Sequence, residues 1–223
     1  MNIIAHIETD YTEKFGIPRQ SGLNSEVEGR IIFEKEYRVP EAFRGLEDFS
    51  HIWIIWQFSE AVREKWSPTV RPPLLGGNKR MGVFATRSPF RPNNIGLSCV
   101  KLQRIETTEK YGPVLIVRGA DLMNGTPIYD IKPYLAYADS IPDAVGGFTE
   151  NLGERHLEVT FCENTAEKFP KDKLQSLISV LESDPRPSYQ HDPDREYGFS
   201  FAGYEISFTV DGELLTVHRI DKI

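Results

Sequence analysis

The sequence of 223 residues lacks the short motifs that mark the common cofactor and metal sites. It has no GxGxxG fingerprint, no phosphate-binding GxxxxGK[ST] loop, no HExxH zinc helix and no GxSxG nucleophile elbow. Residues 75–79 (LGGNK) are glycine-rich, but their spacing does not fit a phosphate loop, so they are interpreted as a hairpin loop. None of the five histidines has a paired spacing suited to a metal. The sequence therefore predicts neither a Rossmann-type cofactor fold nor a metal-dependent hydrolase.

Cysteine and long apolar runs are scarce as well. Cys99 and Cys162 form no CxxC pair, which argues against a disulfide scaffold or a zinc site and favours a reducing compartment. The longest apolar run, residues 51–58, is too short to span a bilayer. Residues 1–14 lack the basic start and long apolar stretch of a signal peptide. These absences predict a cytoplasmic protein without a membrane segment.

Acidic residues are rare in one part of an acidic chain. The net charge is −7, yet residues 60–104 contain nine Lys or Arg against two acids, so this window carries +7 and the remainder −14. Such asymmetry can create a local basic patch for nucleic acid while the rest of the surface keeps the protein soluble. A solvated basic face that binds nothing is the alternative, and charge alone does not decide between the two.

Short β-branched and apolar segments, separated by glycine and proline, dominate the first two thirds of the chain. They predict strands over residues 2–9, 28–37, 51–58, 81–85, 97–105, 114–117 and 128–131, with a short helix or turn at 40–49. No amphipathic helix of ten or more residues is predicted before residue 164. The pattern favours a mainly β fold, with a barrel or sandwich in the N-terminal domain.

A second, smaller unit follows a glycine-rich acidic stretch at residues 141–154, which is typical of a linker. Residues 156–162 alternate as a strand. Residues 165–183 have helical spacing, with Leu174, Leu177, Ile178 and Leu181 on one face. Strands at 204–210 and 213–220 flank Asp211-Gly212, a type I′ hairpin signal. We therefore expect two domains, a β-rich one at residues 1–142 and a small α+β one at 155–223.

The segment TRSPFRPNNIG, residues 86–96, places two arginines in a loop stiffened by proline. Pro89 and Pro92 fix φ and lower the entropy of the loop, and the asparagines and glycine that follow favour turns. An arginine on a rigid loop loses less freedom when it binds a ligand. The segment is therefore either a ligand-binding loop or a solvated loop kept soluble by its arginines.

Two other segments carry candidate polar groups. In KFGIPRQ, residues 14–20, Gly16 and Pro18 predict a turn that presents Arg19 and Gln20, either to a purine edge or carboxylate or only to solvent. In residues 119–134, Asp121, Asn124 and Thr126 crowd a glycine-containing turn. Asp130 and Lys132 lie two apart on a strand and so point to one face. They form either a structural ion pair or a proton-transfer pair.

Taken together, these segments resemble one family. PRQ, FSHIWI, RPPLLGG, GVFATRSPFRPNNIG, NGTP, DIKPY and DPRPSY are similar to motifs of the TsaA-like (TrmO-type) tRNA methyltransferases in their bacterial two-domain form. The resemblance covers nearly the whole chain. It implies an N-terminal β-barrel that binds S-adenosylmethionine without a Rossmann sheet, and a homodimer with the cofactor site near the interface. It also implies methyl transfer to N6 of threonylcarbamoyl-adenosine, at position 37 in the anticodon loop of a threonine tRNA.

The resemblance implies cofactor contacts for individual residues, and the chemistry of the acceptor nitrogen and of RNA suggests further roles. The expected cofactor contacts are Pro18, Arg19, Gln20, Ser50, His51, Gln57, Phe58, Arg87, Leu97, Asp121, Leu122, Met123 and Asn124. The expected base is Asp130, oriented by Lys132, with His51 as the alternative base. The expected substrate and tRNA contacts are Arg91, Phe90, Tyr134, Arg71, Lys79 and Arg80. A non-catalytic RNA- or nucleotide-binding module remains the alternative function.

Overall fold

The computed structural model of the chain describes residues 1–62, 65–150, 156–186 and 192–223, and for Leu74 the backbone alone. The strands are β1 Ala5–Glu8, β2 Glu28–Phe33, β3 His51–Gln57, β4 Thr69–Val70, β5 Met81–Gly82, β6 Ile95–Thr108, β7 Gly112–Arg118, β8 Pro127–Pro133, β9 Glu158–Phe161, β10 Tyr197–Phe201, β11 Tyr204–Asp211 and β12 Leu214–Lys222. The α-helices are α1 Ala136–Asp139 and α2 Leu174–Glu182. Short 3₁₀ helices are Lys35–Tyr37, Pro40–Phe43, Leu46–Asp48, Ser59–Ala61, Pro73–Leu75, Val83–Ala85, Gly147–Thr149 and Ala166–Lys168.

Six strands close into a barrel in the order β1-β2-β7-β6-β3-β8. The alternation of β3 explains how its sequence forms a barrel strand: Ile52, Ile54 and Trp56 are buried inside, while the residues between them point outwards. β3 pairs antiparallel with β6 on one side and with β8 on the other. The barrel confirms the predicted mainly β, non-Rossmann N-terminal fold.

The C-terminal unit is a four-stranded sheet in the order β10-β11-β12-β9, in which β9 and β12 are parallel. Helix α2 covers it through the buried side chains of Leu177, Val180 and Leu181. This arrangement confirms the predicted small α+β unit. Among the described residues, no helix is long and apolar enough to cross a membrane.

Several predicted elements are wrong in their extent. Residues 81–85 form only a two-residue strand, β5, followed by a 3₁₀ turn, and the predicted strand at 28–37 ends at Phe33. The helix predicted over 165–183 begins at Leu174, because Pro170 cannot continue a helix that starts before it. Strands β4 and β10 were not predicted. The predicted linker at 141–154 contains one 3₁₀ turn, and its residues 151–154 lie outside the described residues.

The β11–β12 hairpin is confirmed, but its type I′ turn is wrong. Asp211 pairs with Leu214, so the two loop residues are Gly212 and Glu213. Of these two, only Gly212 has a positive φ, at 58°. A type I′ turn requires positive φ at both positions, whereas type II′ requires it at the first alone. Gly212 therefore occupies the first loop position, where a type II′ turn requires a positive φ.

The two units share packing. Tyr11 and Val27, which belong to the N-terminal part of the chain, are buried in the core of the C-terminal sheet, and Phe15 and Ile17 pack against it. Hydrogen bonds and an ion pair reinforce this contact, among them Lys173 Nζ to Asp10 Oδ1 and the backbone of Ser200 to Glu13 Oε1. The segment that precedes the PRQ motif is thus fixed by the C-terminal unit.

Candidate functional site

The 86–96 loop is held by its own hydrogen bonds. Asn94 Nδ2 donates to the Pro89 carbonyl at 2.6 Å, and the Phe58 backbone N–H donates to the Asn94 carbonyl at 2.9 Å. Arg91 folds back on the same loop, since its Nη1 donates to the Thr86 carbonyl at 3.0 Å. These hydrogen bonds lie within the loop and between the loop and the end of β3, and Arg91 is half-buried where it braces the loop.

Arg87 leaves the loop and reaches the PRQ segment. Its Nη1 donates to Gln20 Oε1 at 2.5 Å, although the two residues are 67 apart in sequence. Gln20 is oriented in turn, because its Nε2 donates to the Arg19 carbonyl at 2.6 Å. Arg87 is exposed, so most of its guanidinium N–H groups face solvent. The structure therefore brings together the two segments that carry the strongest sequence signals.

A buried hydrogen-bonded chain lies next to this contact. Trp56 Nε1 donates to Ser98 Oγ at 2.9 Å, and Ser98 Oγ donates to Asp121 Oδ1 at 2.5 Å. Burial raises the pKa of the Asp121 carboxyl, while the Ser98 hydroxyl and the positive charge of Arg87 act in the opposite direction. The backbone N–H of Ser21, directly after PRQ, also favours the charged carboxylate. Asp121 thus lies at the meeting point of three motif segments.

The turn after Asp121 is fixed by Thr9, the residue that follows strand β1. Thr9 Oγ1 donates to the Leu122 carbonyl at 3.1 Å, and the Thr9 N–H donates to Asn124 Oδ1 at 3.2 Å. The Leu122 side chain is fully buried in the barrel core, so only its backbone is available for a ligand. Met123 is half-buried and Asn124 is exposed. Of these expected cofactor contacts, Leu122 acts in the structure as a core residue.

The expected catalytic residues lie on the outer face of the barrel. Asp130 pairs with Ile55 and Lys132 with Trp53, which puts both side chains on the predicted common face. Lys132 Nζ lies 3.7 Å from Asp130 Oδ2, and both side chains are more than half exposed. Asp130 also lines a shallow cavity with residues of the N-terminus and Tyr37. The pair is therefore open to solvent and to a ligand that approaches the outer face of the barrel.

His51 and Tyr134 form a separate cluster near the start of β3. Ser50 Oγ lies 2.9 Å from His51 Nδ1, and the rings of His51 and Tyr134 are 6.3 Å apart. Tyr134 also packs on Trp53, with ring centroids 5.8 Å apart. Tyr134 is therefore half-buried against this face rather than free in solvent.

The two ends of β3 lie far apart. Gln57 and Phe58 are next to the 86–96 loop, whereas Ser50 and His51 are at the opposite end, roughly 20 Å away for a strand of this length. Leu97 is 52% exposed and pairs with Ile55, which pairs on its other side with Asp130. Leu97 and Asp130 are thus two strand spacings apart, about 10 Å.

The remaining expected RNA contacts lie on the β4–β5 hairpin and in the 86–96 loop. Arg71, Lys79 and Arg80 are exposed in the connection between β4 and β5, which confirms the hairpin interpretation of residues 75–79. Arg80 Nη1 donates to Thr69 Oγ1 at 2.9 Å. Phe90 is half-buried. No group of three His, Cys, Asp or Glu suited to a metal occurs in the described part of the chain.

Comparison with known proteins identifies the family. A family model described as the tRNA-methyltransferase O N-terminal domain matches residues 6–140, and one described as the TrmO C-terminal domain matches residues 154–223. The chain belongs to the tRNA-methyltransferase O family. This family relationship extends over both folded units, which carry the barrel site and the sheet that supports it.

Named relatives agree with the assignment to this family. The chain is 41% identical over 213 residues to a tRNA (adenine(37)-N6)-methyltransferase of Escherichia coli, covering 93% of this chain and 89% of the relative. It is 37% identical over 203 residues to a Pseudomonas aeruginosa protein named as an S-adenosylmethionine-dependent methyltransferase, covering 87% and 85%. A crystal structure of TrmO from P. aeruginosa superposes with a TM-score of 0.81 at 30% identity, covering 99% of this chain and 95% of that one.

Sequence reasoning missed several residues that build the site of this tRNA-methyltransferase O chain. Ser98, Trp56 and Ser21 carry no motif signal of their own, and their roles depend on barrel register. Ser21 Oγ accepts from the Cys99 N–H at 3.2 Å, which ties the end of PRQ to β6. Gly96 could have been found from the sequence, because a glycine at the start of a predicted strand often marks a close approach of another group. A Cβ there would lie 2.2 Å from the nearest Trp56 ring atom.

The DPRPSY segment, residues 184–189, is described only in its first half. Asp184 and Arg186 form a buried ion pair, with Arg186 Nε donating to Asp184 Oδ1 at 2.8 Å and Nη2 to Oδ2 at 3.0 Å. Residues 187–189 lie outside the described residues. Arg186 Cζ also lies over the Tyr197 ring, 5.9 Å from its centroid, so this first half packs against β10.

Proposed function

We propose that this chain is an S-adenosylmethionine-dependent tRNA methyltransferase that methylates N6 of adenine 37. The acceptor that we propose is threonylcarbamoyl-adenosine in the anticodon loop of a threonine tRNA. The observation that carries the proposal is the similarity of both units to the tRNA-methyltransferase O family, together with a relative named tRNA (adenine(37)-N6)-methyltransferase. In this proposal residues 1–142 form the cofactor-binding domain and residues 155–223 the C-terminal domain.

The polar groups around Arg87 fit the proposed cofactor. S-adenosylmethionine has a carboxylate, an amine, ribose hydroxyls and an adenine ring, and it supplies an electrophilic methyl group on a sulfonium. The exposed guanidinium of Arg87 suits the carboxylate, and the Asp121 carboxylate suits a hydroxyl or amine. The other proposed contacts are Pro18, Arg19, Gln20, Gln57, Phe58, Leu97, the Leu122 backbone, Met123 and Asn124. Ser50 and His51 lie at the far end of β3, so their proposed contact involves a different part of the ligand or a second subunit.

Methylation of the acceptor nitrogen requires a base that removes the N6 proton. In threonylcarbamoyl-adenosine N6 belongs to a urea, whose lone pair is delocalised and therefore weakly nucleophilic. Asp130 accepts the N6 proton in this proposal, and Lys132, 3.7 Å away, orients the carboxylate. His51 is the alternative base. Alignment of the methyl group with N6 and exclusion of water contribute the rest of the acceleration.

The proposed RNA contacts divide by chemistry. Arg91 or Arg87 pairs with the threonyl carboxylate, a bidentate arrangement suited to a guanidinium. Phe90 or Tyr134 stacks on the modified base. Arg71, Lys79 and Arg80 contact phosphates, so affinity should fall steeply with salt concentration. A flat salt dependence would mean that these exposed cations do not contact the RNA.

A homodimer in the cytoplasm completes the proposal. Exposed apolar side chains on the outer barrel face and in the segment after it, such as Leu97 and Tyr137, support coverage by a second copy. Sedimentation velocity at several protein concentrations measures the oligomeric state directly. A monomer at enzyme-assay concentration would contradict this part of the proposal.

The decisive experiment is methyl transfer. The purified chain is incubated with S-adenosylmethionine carrying a labelled methyl group and with threonine tRNA, either unmodified or carrying threonylcarbamoyl-adenosine. Nuclease digestion and mass spectrometry locate the label. We expect it on N6 of residue 37 of the modified tRNA. Binding of tRNA without any transfer would instead favour the RNA-binding module.

The role of Asp130 is tested by single-turnover kinetics. We expect Asp130→Asn to lower the methylation rate by about 10²-fold or more, the usual contribution of a general base. The affinity for S-adenosylmethionine should be unchanged, because Asp130 is about 10 Å from Leu97. Lys132→Met is the matched variant and should have a smaller effect on rate. A near wild-type rate for Asp130→Asn across neutral pH would remove Asp130 as the base and leave His51.

A further inference from the structure

Two exposed aromatic rings lie side by side at the base of the β4–β5 hairpin. The hairpin pairs Thr69 with Gly82 and Val70 with Met81, and the Val83 N–H donates to the Pro68 carbonyl at 3.0 Å. Trp66 lies two residues before Pro68, and Phe84 directly follows Val83. Their ring centroids are 6.1 Å apart and their planes differ by 23°, so the rings are stacked. The pairing of the hairpin therefore brings the two residues close enough for their rings to stack.

This aromatic pair is not part of either hydrophobic core. Trp66 is 49% exposed and Phe84 is 73% exposed. Neither ring belongs to the barrel core or to the C-terminal core. Large apolar surface in contact with water is unfavourable, and contiguous exposed patches commonly mark binding sites. A flat, pre-positioned aromatic surface is suited to a planar ligand, since its side chains lose little entropy on binding.

The charge around the pair indicates the chemistry of that ligand. Residues 65–105 contain eight Lys or Arg and no Asp or Glu, within a chain whose net charge is −7. Three of these cations, Arg71, Lys79 and Arg80, are exposed on the same hairpin, and Arg87 follows Phe84 by three residues. Cations beside exposed aromatic rings are the combination that binds single-stranded nucleic acid, with phosphates on the cations and a base on the ring.

We propose that the Trp66–Phe84 pair is a stacking platform for an unpaired base of the RNA substrate. The hairpin cations hold the phosphates on either side of that base. This inference rests on the proposed function, because it identifies the RNA-binding element of the same enzyme. It adds a base-stacking site to the phosphate contacts already expected from the arginines and lysines. An exposed aromatic pair can also be covered by a second copy of the chain. The experiment distinguishes this subunit contact from RNA binding.

The test is equilibrium binding of a synthetic threonine anticodon stem-loop RNA, measured by fluorescence anisotropy in the presence of S-adenosylmethionine. We expect Trp66→Ala and Phe84→Ala each to weaken binding at least fivefold, the factor that corresponds to the lower end of about 1–3 kcal/mol per stacked base. Trp66→Phe and Phe84→Tyr keep a ring and should bind within about twofold of the wild type. Both positions are exposed, so truncation should leave the unfolding temperature nearly unchanged.

A matched control is available at the turn beyond β6. Tyr111 also has cations over its ring, Lys110 Nζ at 4.5 Å and Arg38 Cζ at 5.6 Å from the centroid. It lies at the far end of β6 from the 86–96 loop. Tyr111→Ala should therefore leave affinity for the stem-loop unchanged. An equal loss from Tyr111→Ala and Trp66→Ala would overturn the proposal in favour of a non-specific effect.

An RNA with abasic sites in its loop tests stacking directly. The wild type should bind the abasic stem-loop more weakly than the intact one, whereas Trp66→Ala and Phe84→Ala should bind both equally. Wild-type affinity of the alanine variants for the intact loop would overturn the proposal. So would a change in sedimentation coefficient without a change in RNA affinity, which assigns the pair to a subunit contact. If the wild type binds the stem-loop but transfers no methyl group, the proposed reaction is wrong. The binding measurements on the variants still show whether the Trp66–Phe84 pair stacks on a base.

Discussion

Substitution of Ser98 by alanine removes the central member of the Trp56–Ser98–Asp121 chain. Ser98 is fully buried, accepts from Trp56 Nε1 at 2.9 Å and donates to Asp121 Oδ1 at 2.5 Å. Without the hydroxyl, the indole N–H has no partner in the barrel, which costs about 1–3 kcal/mol, and the bond to the carboxyl contributes about 1 kcal/mol more. We expect Ser98→Ala to lower the free energy of unfolding by about 2–4 kcal/mol, or roughly 5–15 °C in unfolding temperature for a chain of this size.

The penalty should depend on pH in a definite direction. Burial already raises the pKa of the Asp121 carboxyl above the value of 3.8 that it has in an unfolded chain, and the Ser98 hydroxyl opposes that rise. Loss of the hydroxyl therefore raises the pKa further. A carboxyl with a raised folded pKa binds more protons in the folded state, so its contribution is fully present below the unfolded pKa and is lost as pH rises through the folded pKa. The destabilisation by Ser98→Ala should thus be larger at pH 7.5 than in mild acid.

Denaturant unfolding of the variant and the wild type at two pH values measures both effects. A double-mutant cycle with Trp56→Phe isolates the indole bond, because phenylalanine has no N–H to leave unpaired. In that background Ser98→Ala should cost less. A penalty for Ser98→Ala below about 0.5 kcal/mol, or the same penalty in both backgrounds, would refute the proposed hydrogen-bonded chain as a source of stability.

Three further predictions concern packing and accessibility. Gly96→Ala would bring a Cβ to 2.2–2.6 Å from three Trp56 ring atoms, so it should destabilise the chain by about 1–3 kcal/mol or more in denaturant unfolding; no change would contradict the barrel register. Gly16 has a φ of +88°, and a Cβ there would lie 2.7 Å from the Phe199 ring. Gly16→Ala should therefore cost about 1–2 kcal/mol in φ strain alone and should weaken S-adenosylmethionine binding measured by calorimetry. Unchanged affinity would mean that the contact with the C-terminal sheet does not support the PRQ segment. Burial raises the pKa of the Cys99 thiol, so position-resolved alkylation at neutral pH should be slower at Cys99 than in an unstructured peptide, and equal rates would contradict that burial.

Much of the barrel follows from local sequence. The segment that forms β3 is the longest apolar run of the sequence and is predicted as a strand; the structure adds the alternation, with Ile52 and Ile54 inside and Trp53 outside. The paired positions of Asp130 and Lys132 on one face follow from the same rule. Such features need only the geometry of a single strand. Once a segment is predicted as a strand, the residues that share one of its faces follow directly.

The features that could not be predicted depend on distant contacts. Ser98 and Asp121 meet because β6 and β7 pair with a register shift between Leu102 and Arg104, and no local pattern gives the position of that irregularity. The contact of Arg87 with Gln20 joins residues 67 apart across the mouth of the barrel. Local reading thus found the segments of the site, and the closed barrel determines which of their atoms meet.

The C-terminal unit takes part in the site through the loop that it holds. Residues 10–17 are fixed on its sheet, where Tyr11 is buried and Gly16 abuts the Phe199 ring. The PRQ motif, Pro18 to Gln20, begins at the next residue and is followed by Ser21, whose Oγ accepts from the Cys99 N–H of β6. A segment anchored at both ends presents Gln20 to Arg87 with little conformational freedom left to lose. Support of the proposed cofactor loop is therefore one structural role that the second domain has in this chain, independent of any role in binding RNA.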